Sequence, residues 1–133
     1  MFSLQKNLLP KDNNSVVNEF LTKFYNNIKT GGWNLNLELY KNNNKCISID
    51  NNLLSPYEYV CYLAKKNISK GTIENITSSW QLINIDTILI SLSGIISFIT
   101  FNNIINYKKI IFESFIISVK DGKILNHNIH LRD

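Results

Sequence analysis

The sequence predicts an α+β domain in which N-terminal helices pack on one face of a curved antiparallel sheet. Three observations carry this prediction. The first half places apolar residues at helical spacing. The second half holds four β-branched, apolar runs separated by short turns, and the last turn, Asp121-Gly122, is typical of a β-hairpin. Helices followed by an antiparallel sheet form two layers in which the helices cover one side of the sheet.

The first predicted element is a helix that follows a loose tail at residues 1–14, so the domain is expected to span residues 15–133. Ser15 is a good N-cap residue, and Gly31-Gly32 ends the pattern. The apolar positions recur at three and four residues and form one helical face: Val16, Val17, Phe20, Leu21, Phe24 and Ile28.

Two short segments follow. Residues 33–40 alternate apolar and polar side chains, which favours a strand, although Glu38 and three leucines suit a short helix, and periodicity alone does not decide between them. Residues 46–49 alternate as a short strand, and Asp50-Asn51-Asn52 has the composition of a turn.

The clearest local signal is Ser55-Pro56-Tyr57-Glu58. Serine at the N-cap, proline at the first helical position and glutamate at the third form a capping box, which predicts a helix starting there. That helix should end near Asn67 or Lys70-Gly71.

Four strands are predicted after Gly71, at residues 73–83, 87–101, 107–119 and 123–131, and short turns between them imply an antiparallel meander. The second strand is apolar on both faces. Such a strand needs cover on both sides, and a homodimer packed sheet on sheet would supply it. A larger monomeric core is the alternative.

Composition limits the classes of protein. A chain of 133 residues suits one domain, and its net charge of +4 is scattered without a dense basic block, which does not favour nucleic-acid binding. No apolar run is long enough to cross a membrane. Cys46 and Cys61 are the only cysteines and no secretory signal is apparent, which predicts a cytoplasmic or nuclear protein. The excess of Asn, Ile and Lys is typical of an AT-rich genome, such as that of a protist or a large DNA virus.

The order of these elements resembles the nuclear transport factor 2-like family over about residues 16–131. The residues that carry the resemblance are the aromatic cluster Phe20, Phe24 and Tyr25, the pair Leu39-Tyr40, the glycine-containing strand at 90–94, Glu113-Ser114-Phe115, and either Asn126-His127 or Asn128-Ile129. The resemblance implies a cone-shaped α+β fold that forms homodimers.

The resemblance also implies a binding groove. Stress-granule scaffold proteins of the family dock FGDF-type peptides beside the first helix. Carried over by position, the groove walls would be Val16, Phe20, Leu39 and Ile129, with Leu131 as the alternative to the last. All are apolar, as a pocket for an aromatic anchor requires. Apolar residues at helical spacing are also what a plain core would contain.

The transport-factor branch implies binding of FxFG nucleoporin repeats and of the GDP form of the Ran GTPase. Asp50 matches one acidic position of that branch and is a candidate partner contact. The acidic pair expected near residues 98–106 is missing, which removes charge complementarity toward Ran.

Enzymes that share this fold, the ketosteroid isomerases and polyketide cyclases, imply an alternative. Their chemistry needs a carboxylate in an apolar cone and a hydrogen-bond donor. Tyr25 is a candidate donor, and Asp50 or Glu113 a candidate acid. No His-Asp pair or metal cluster is apparent, and His127 and His130 should lie on opposite faces of one strand.

Together these observations predict a non-enzymatic module, without metal or cofactor, that docks FG-type peptide motifs in nucleocytoplasmic transport or in ribonucleoprotein and stress-granule assembly. A viral copy would compete with its host's protein for such motifs. An isomerase or cyclase that uses the cone cavity is the alternative.

Overall fold

The computed structural model describes residues 12–102 and 106–133, with Asn106 described by its backbone alone. The elements are helix α1 (Asn13–Lys29), a 3-10 helix (Trp33–Leu39), strands β1 (Ile47–Ile49) and β2 (Asn52–Leu54), helix α2 (Pro56–Lys65), and strands β3 (Ile68–Asn84), β4 (Thr87–Thr100), β5 (Asn106–Ser118) and β6 (Ile124–Arg132). The predicted α+β class, with helices packed on a curved sheet, is confirmed.

Helix α1 begins three residues before the predicted start. The N-cap is Asp12, not Ser15, because the Asp12 carboxylate accepts a hydrogen bond from the Ser15 backbone N–H at 2.8 Å. A carboxylate there also interacts favourably with the positive end of the helix dipole. Asn13 and Asn14, assigned to the tail from the sequence, are helical, and residues 1–11 of that tail lie outside the described residues.

The segment that periodicity left open is the 3-10 helix. Trp33 and Leu39 point into the core, and the buried amide of Asn36 donates to the Phe24 carbonyl while accepting from the Asn27 amide at 2.7 Å. The buried positions are thus three residues apart, as a 3-10 helix packed on α1 requires, and Leu35 of the apolar alternation is 55% exposed.

Helix α2 starts as the capping box predicts. The Ser55 hydroxyl accepts from the Glu58 backbone N–H at 3.2 Å, and the Glu58 carboxylate accepts from the Ser55 N–H at 2.9 Å. The helix ends at Lys65, and Asn67 adopts a positive φ of 62° just beyond it. Asparagine tolerates that left-handed conformation better than most residues.

The six strands form one sheet in the order β2-β1-β6-β5-β4-β3. The predicted meander is present as β3 to β6, all antiparallel. The prediction of a purely antiparallel sheet is wrong in one respect, since β1 pairs with β6 in parallel. Strand β2 was not predicted, and it pairs back on β1 through a turn in which Asp50 and Asn51 have positive φ.

Strand β3 is longer than its apolar pattern and begins at Ile68. Gly71 lies beside Ile96 and Phe98 of the buried face, where an added Cβ would make only ordinary van der Waals contact. A register shift between Glu74 and Thr77, with Asn75 at φ 54°, bends the strand.

The sheet has two different faces. The inner face, covered by the helices, carries fully buried apolar residues, among them Ile88, Ile90, Phe115, Ile117 and Ile124. The outer face has no cover within the described chain, so Phe112 is 45% exposed and Ile110 is 43% exposed. No helix in the described part of the chain combines the length and apolarity that a membrane crossing needs.

Candidate functional site

A cavity of about 140 Å³ lies between the inner face of the sheet and the helices. Most of its wall is apolar, and four phenols, two carboxylates and two lysines interrupt it. The lining residues that matter below are Tyr25, Trp33, Tyr59, Tyr62, Tyr107 and Glu113, with Ile68, Ile96 and Phe98 as apolar walls.

Glu113 is the polar centre of this region and is only 5% exposed. One of its carboxylate oxygens accepts a hydrogen bond from the Tyr25 hydroxyl. The other lies 2.6 Å from Nε2 of His127, which is completely buried. On the far side of the imidazole, Nδ1 lies 2.8 Å from the Tyr40 hydroxyl.

These contacts form one directed network. A neutral imidazole with its proton on Nε2 donates to Glu113 and accepts from the Tyr40 O–H. We assign this tautomer because it gives every member of the chain a donor facing an acceptor. Two donors then point at the Glu113 carboxylate, one from His127 and one from Tyr25, which offsets much of the cost of burying it.

The phenols around this carboxylate are held in their neutral form. Burial, followed by the charge of Glu113 and its hydrogen bond, raises the pKa of Tyr25 well above its usual value. Burial also raises the pKa of Tyr40 and Tyr59 well above the usual range, and Glu113 adds to it in both cases. Tyr25 and Tyr59, which line the cavity, therefore keep their O–H protons at physiological pH.

The cavity approaches the surface where its lining becomes polar and exposed. Asp50 accepts a hydrogen bond from the Tyr62 hydroxyl at 2.9 Å, and burial together with this bond raises the pKa of Tyr62 to about 12. The Lys66 ammonium lies 5.0 Å from the centre of the Tyr62 ring, and Lys109 contacts the Asp133 carboxylate. Two lysines and one aspartate thus surround the opening.

This arrangement suits binding and acid–base chemistry. A buried carboxylate can take up a proton, and neutral phenols can donate hydrogen bonds to an oxygen on which negative charge develops. Across residues 12–102 and 106–133, no three His, Cys, Asp or Glu side chains group in a way that could hold a metal ion.

The structure brings most of the predicted groove residues together. Val16, Phe20 and Leu39 line one open groove of about 650 Å³, and residues 119–123 form its other side. Ile129 is not among them and lines the cavity instead, as does the alternative Leu131. The reason is register: Ile129 is the partner of Glu113, at the cavity, whereas the groove ends at the β5–β6 turn.

The other predicted residues divide between the cavity and its opening. Tyr25 and Glu113 contact each other on the cavity wall, whereas Asp50 lies in the exposed turn at the opening. His127 and His130 lie on opposite faces as predicted, the first buried and the second exposed. No His-Asp pair is apparent in the sequence, yet the fold pairs His127 with a glutamate, Glu113.

Tyr40 and Tyr59 were missed as functional candidates. Tyr59 lies on α2, as do Tyr57 and Tyr62. The sequence pattern that could have identified Tyr59 is its spacing of four residues from Leu63, which places both on the buried face of the helix. Tyr57, by contrast, is 61% exposed. Tyr40 follows the 3-10 helix and forms an isolated bridge with Ile124, which brings it next to β6.

Comparison with known proteins supports the architecture. No protein-family model and no curated protein matches the sequence. Several solved structures match over nearly their whole length at low identity. A protein from Xanthomonas campestris described as a calcium/calmodulin-dependent protein kinase II association domain is 17% identical, with a TM-score of 0.67 over 91% of this chain and 89% of its own.

Two further structures have the same architecture. An NTF2-like protein from Anabaena variabilis is 15% identical, with a TM-score of 0.61 over 90% of this chain and 88% of its own. A protein from Xanthomonas campestris described as a polyketide cyclase is 10% identical, with a TM-score of 0.63 over 90% of this chain and 92% of its own. The chain therefore has the fold of nuclear transport factor 2-like proteins, as the sequence predicted.

Proposed function

We propose that this domain binds a small organic molecule inside its cone. The observation that carries the proposal is the cavity of about 140 Å³ with Glu113, Tyr25 and Tyr59 on its wall. An ionisable group placed at a cavity inside an otherwise apolar core is costly to bury, and such groups concentrate at ligand sites.

The cavity size defines the ligand. An apolar protein cavity of about 150 Å³ holds benzene. A cavity of about 140 Å³ therefore suits one ring or a short branched chain. Larger molecules would have to extend through the opening between Tyr62 and Lys109.

The catalytic form of this proposal is an isomerase or cyclase. Glu113 would take a proton from the bound molecule, while a neutral phenol would stabilise the resulting oxyanion. A fold neighbour described as a polyketide cyclase agrees with this form, although one fold supports many functions. Binding is the first property to establish.

A cavity-filling variant tests the proposal. Ile96, which is 2% exposed and lines the cavity, is replaced by Phe. A set of single-ring compounds is then titrated against both proteins while amide NMR shifts are recorded. We expect shifts at residues around the cavity in the wild type and their loss in Ile96→Phe. Shifts that persist unchanged in the filled variant would rule out the cavity as the binding site.

We also propose, as a second function, that the groove beside α1 docks a short FG-type peptide. The specific observation is that Val16, Phe20 and Leu39, chosen from sequence, lie on one groove. Phe20 and Leu39 form its floor at 5% and 7% exposure, so half-buried Val16 is the residue that a ligand would touch most.

The charges at the groove favour an acidic peptide. Lys23, Lys120 and Lys123 line it together with Glu19 and Asp121, and Asp121 is already paired with Lys41 at 2.8 Å. A peptide with one aromatic and one acidic residue, such as an FGDF motif, would match an apolar floor beside lysines.

Fluorescence polarisation of labelled FGDF and FxFG peptides tests the groove. Val16→Asp places a charge on the groove without opening the core, and Thr22→Asp on an exposed position of α1 is the matched control. We expect micromolar binding that Val16→Asp abolishes and Thr22→Asp preserves. Equal affinity in both variants would place the peptide elsewhere.

These two sites imply different settings. The groove would serve transport or ribonucleoprotein assembly, and a Ran contact at Asp50 stays a prediction within that setting. The cavity would serve metabolism. The Ile96→Phe and Val16→Asp variants separate them because each removes one site and leaves the other.

A further inference from the structure

Tyr59 stands apart from the other phenols near the cavity. It is on α2, directly after Glu58 of the capping box, and is 9% exposed. Its ring packs edge-on against Trp33, with centroids 6.5 Å apart, and against the His127 imidazole at 6.2 Å. These contacts fix the direction of its hydroxyl.

That hydroxyl has no protein partner among residues 12–102 and 106–133, and Tyr59 lines the cavity. The neighbouring phenols differ: Tyr25 donates to Glu113, Tyr40 pairs with His127, and Tyr62 donates to Asp50. Among the described residues, every side-chain N or O atom that is closed to solvent has a hydrogen-bond partner. The Tyr59 oxygen has none, so it is not closed off, and the space that it faces is the cavity.

A phenol in this position is a specific recognition group. Burial and the charge of Glu113 keep it protonated, so it acts as a hydrogen-bond donor. A buried donor that lacks a partner is costly, and a ligand that supplies an acceptor removes that cost. The nearby carboxylate repels an anionic acceptor, so the acceptor should be uncharged.

We propose that Tyr59 is the recognition residue of the cavity, and that it donates a hydrogen bond to the carbonyl or ether oxygen of an uncharged, single-ring molecule. This inference rests on the proposed small-molecule function and narrows it to neutral compounds that carry an oxygen acceptor. The ring would pack on Ile68, Ile96 and Phe98, which form the apolar wall of the cavity.

Two matched ligands and two matched variants test this inference. Cyclohexanone carries the acceptor, and methylcyclohexane has similar size and shape without it. Tyr59→Phe removes only the hydroxyl, and Tyr57→Phe removes the hydroxyl of an exposed tyrosine on the same helix that does not line the cavity. Dissociation constants are measured by NMR titration for each combination.

We expect the wild type to bind cyclohexanone about fivefold to tenfold more tightly than Tyr59→Phe does, which is the usual effect of one hydrogen bond. Methylcyclohexane should bind both proteins equally, and Tyr57→Phe should resemble the wild type with both ligands. Equal cyclohexanone affinity in the wild type and Tyr59→Phe would overturn the role of Tyr59 while the cavity function stands. If neither ligand binds the wild type, the cavity function fails as well.

A measurement without ligand provides a second readout. Because the Tyr59 hydroxyl has no protein partner, Tyr59→Phe should keep or raise the urea midpoint of the wild type, whereas Tyr40→Phe, which loses the bond to His127, should lower it. A comparable drop in both variants would show that the Tyr59 hydroxyl has a structural bond and would contradict the inference.

Discussion

Polar side chains are buried on one face of strands β5 and β6 and accessible to solvent on the other. On the inner face, Glu113 and His127 are 5% and 0% exposed and bond to each other. On the outer face, their sequence neighbours Ser114 and Asn128 are cross-strand partners that remain accessible to solvent. One residue along each strand separates a buried ionisable pair from an ordinary polar surface.

The outer polar residues form a straight row across five strands. In register they are Ser79 on β3, Ser91 on β4, Ser114 on β5, Asn128 on β6 and Ser48 on β1. Water can satisfy such groups, so each can change at little cost. The inner groups satisfy one another, so they depend on their exact partners. The number of polar groups is therefore less informative than the side of the sheet on which they lie.

The largest difference between the faces should appear at neighbouring positions of β5. Phe115 is completely buried and packs against Phe20 and Phe24, with centroids 4.9 and 5.0 Å away. We expect Phe115→Ala to lower the free energy of unfolding by about 3–5 kcal/mol. Ser114→Ala should change it by less than about 0.5 kcal/mol. Urea denaturation of both variants measures this, and similar losses would contradict the two-face description.

The next largest difference in stability should appear between a buried and an exposed carboxylate. Glu113→Gln replaces an acceptor of two hydrogen bonds by an amide that must turn a donor toward Tyr25 or His127, so we expect a loss of about 2 kcal/mol. Glu74→Gln is the control, because its ion pair with Lys108 is exposed at the surface. An exposed pair contributes at most about 1 kcal/mol. Both losses are measured by urea denaturation. Equal losses would mean that the buried network adds no more stability than the exposed ion pair.

Alkaline pH should weaken the inner face. The pKa values of Tyr25, Tyr40 and Tyr59 are raised in the folded protein, whereas tyrosines of the unfolded chain have a pKa of about 10. Above about pH 10 the unfolded chain loses tyrosine protons that the folded chain keeps. The free energy of unfolding therefore holds its full tyrosine contribution below that pH and falls as pH rises above it.

Each buried tyrosine contributes a slope of up to about 1.4 kcal/mol per pH unit in that range. Urea denaturation between pH 8 and pH 11 should show this decline, and Tyr25→Phe should make it shallower. Tyr57→Phe, at an exposed position, is the control. A decline that is equally steep in Tyr25→Phe would show that other groups cause it.

The smallest effect on stability should come from the outer face, where we propose that the predicted homodimer forms. Phe112, 45% exposed, lies in the row next to the polar one, opposite Ser93 and His130. Phe112→Glu should change monomer stability little but convert the dimer to monomer in sedimentation velocity. His130→Glu tests the neighbouring strand in the same way. A wild type that sediments as a monomer would refute this proposal.

Much of the fold follows from local patterns. The capping box at Ser55 and Glu58 depends on residues three apart, and the Asp121-Gly122 turn on two neighbours, so each could be recognised without the rest of the chain. The prediction failed where longer contacts decide. Strand β2 is short and forms only because β1 pairs with it on one side and with β6 on the other.

The candidate sites divide in the same way. Val16, Phe20 and Leu39 could be grouped from helical spacing and resemblance, whereas Ile129 was placed in the groove because the register of β6 is not fixed by its own residues. A shift of one residue exchanges the faces of a strand, and only pairing with β5 determines which residues point inward.

The sequence by itself determined the α+β class, the start of α2 at its capping box, the end of α1 near Gly31-Gly32, and the alternation that separates inner from outer residues, because these depend on contacts within a few residues. Only the tertiary structure decided that Glu113 meets Tyr25 from α1 and His127 from β6, and that Tyr59 opens into the cavity. Those partners are as many as 88 residues apart in the chain. No local pattern encodes such a distance, and the packing of helices on a paired sheet is what brings these groups together.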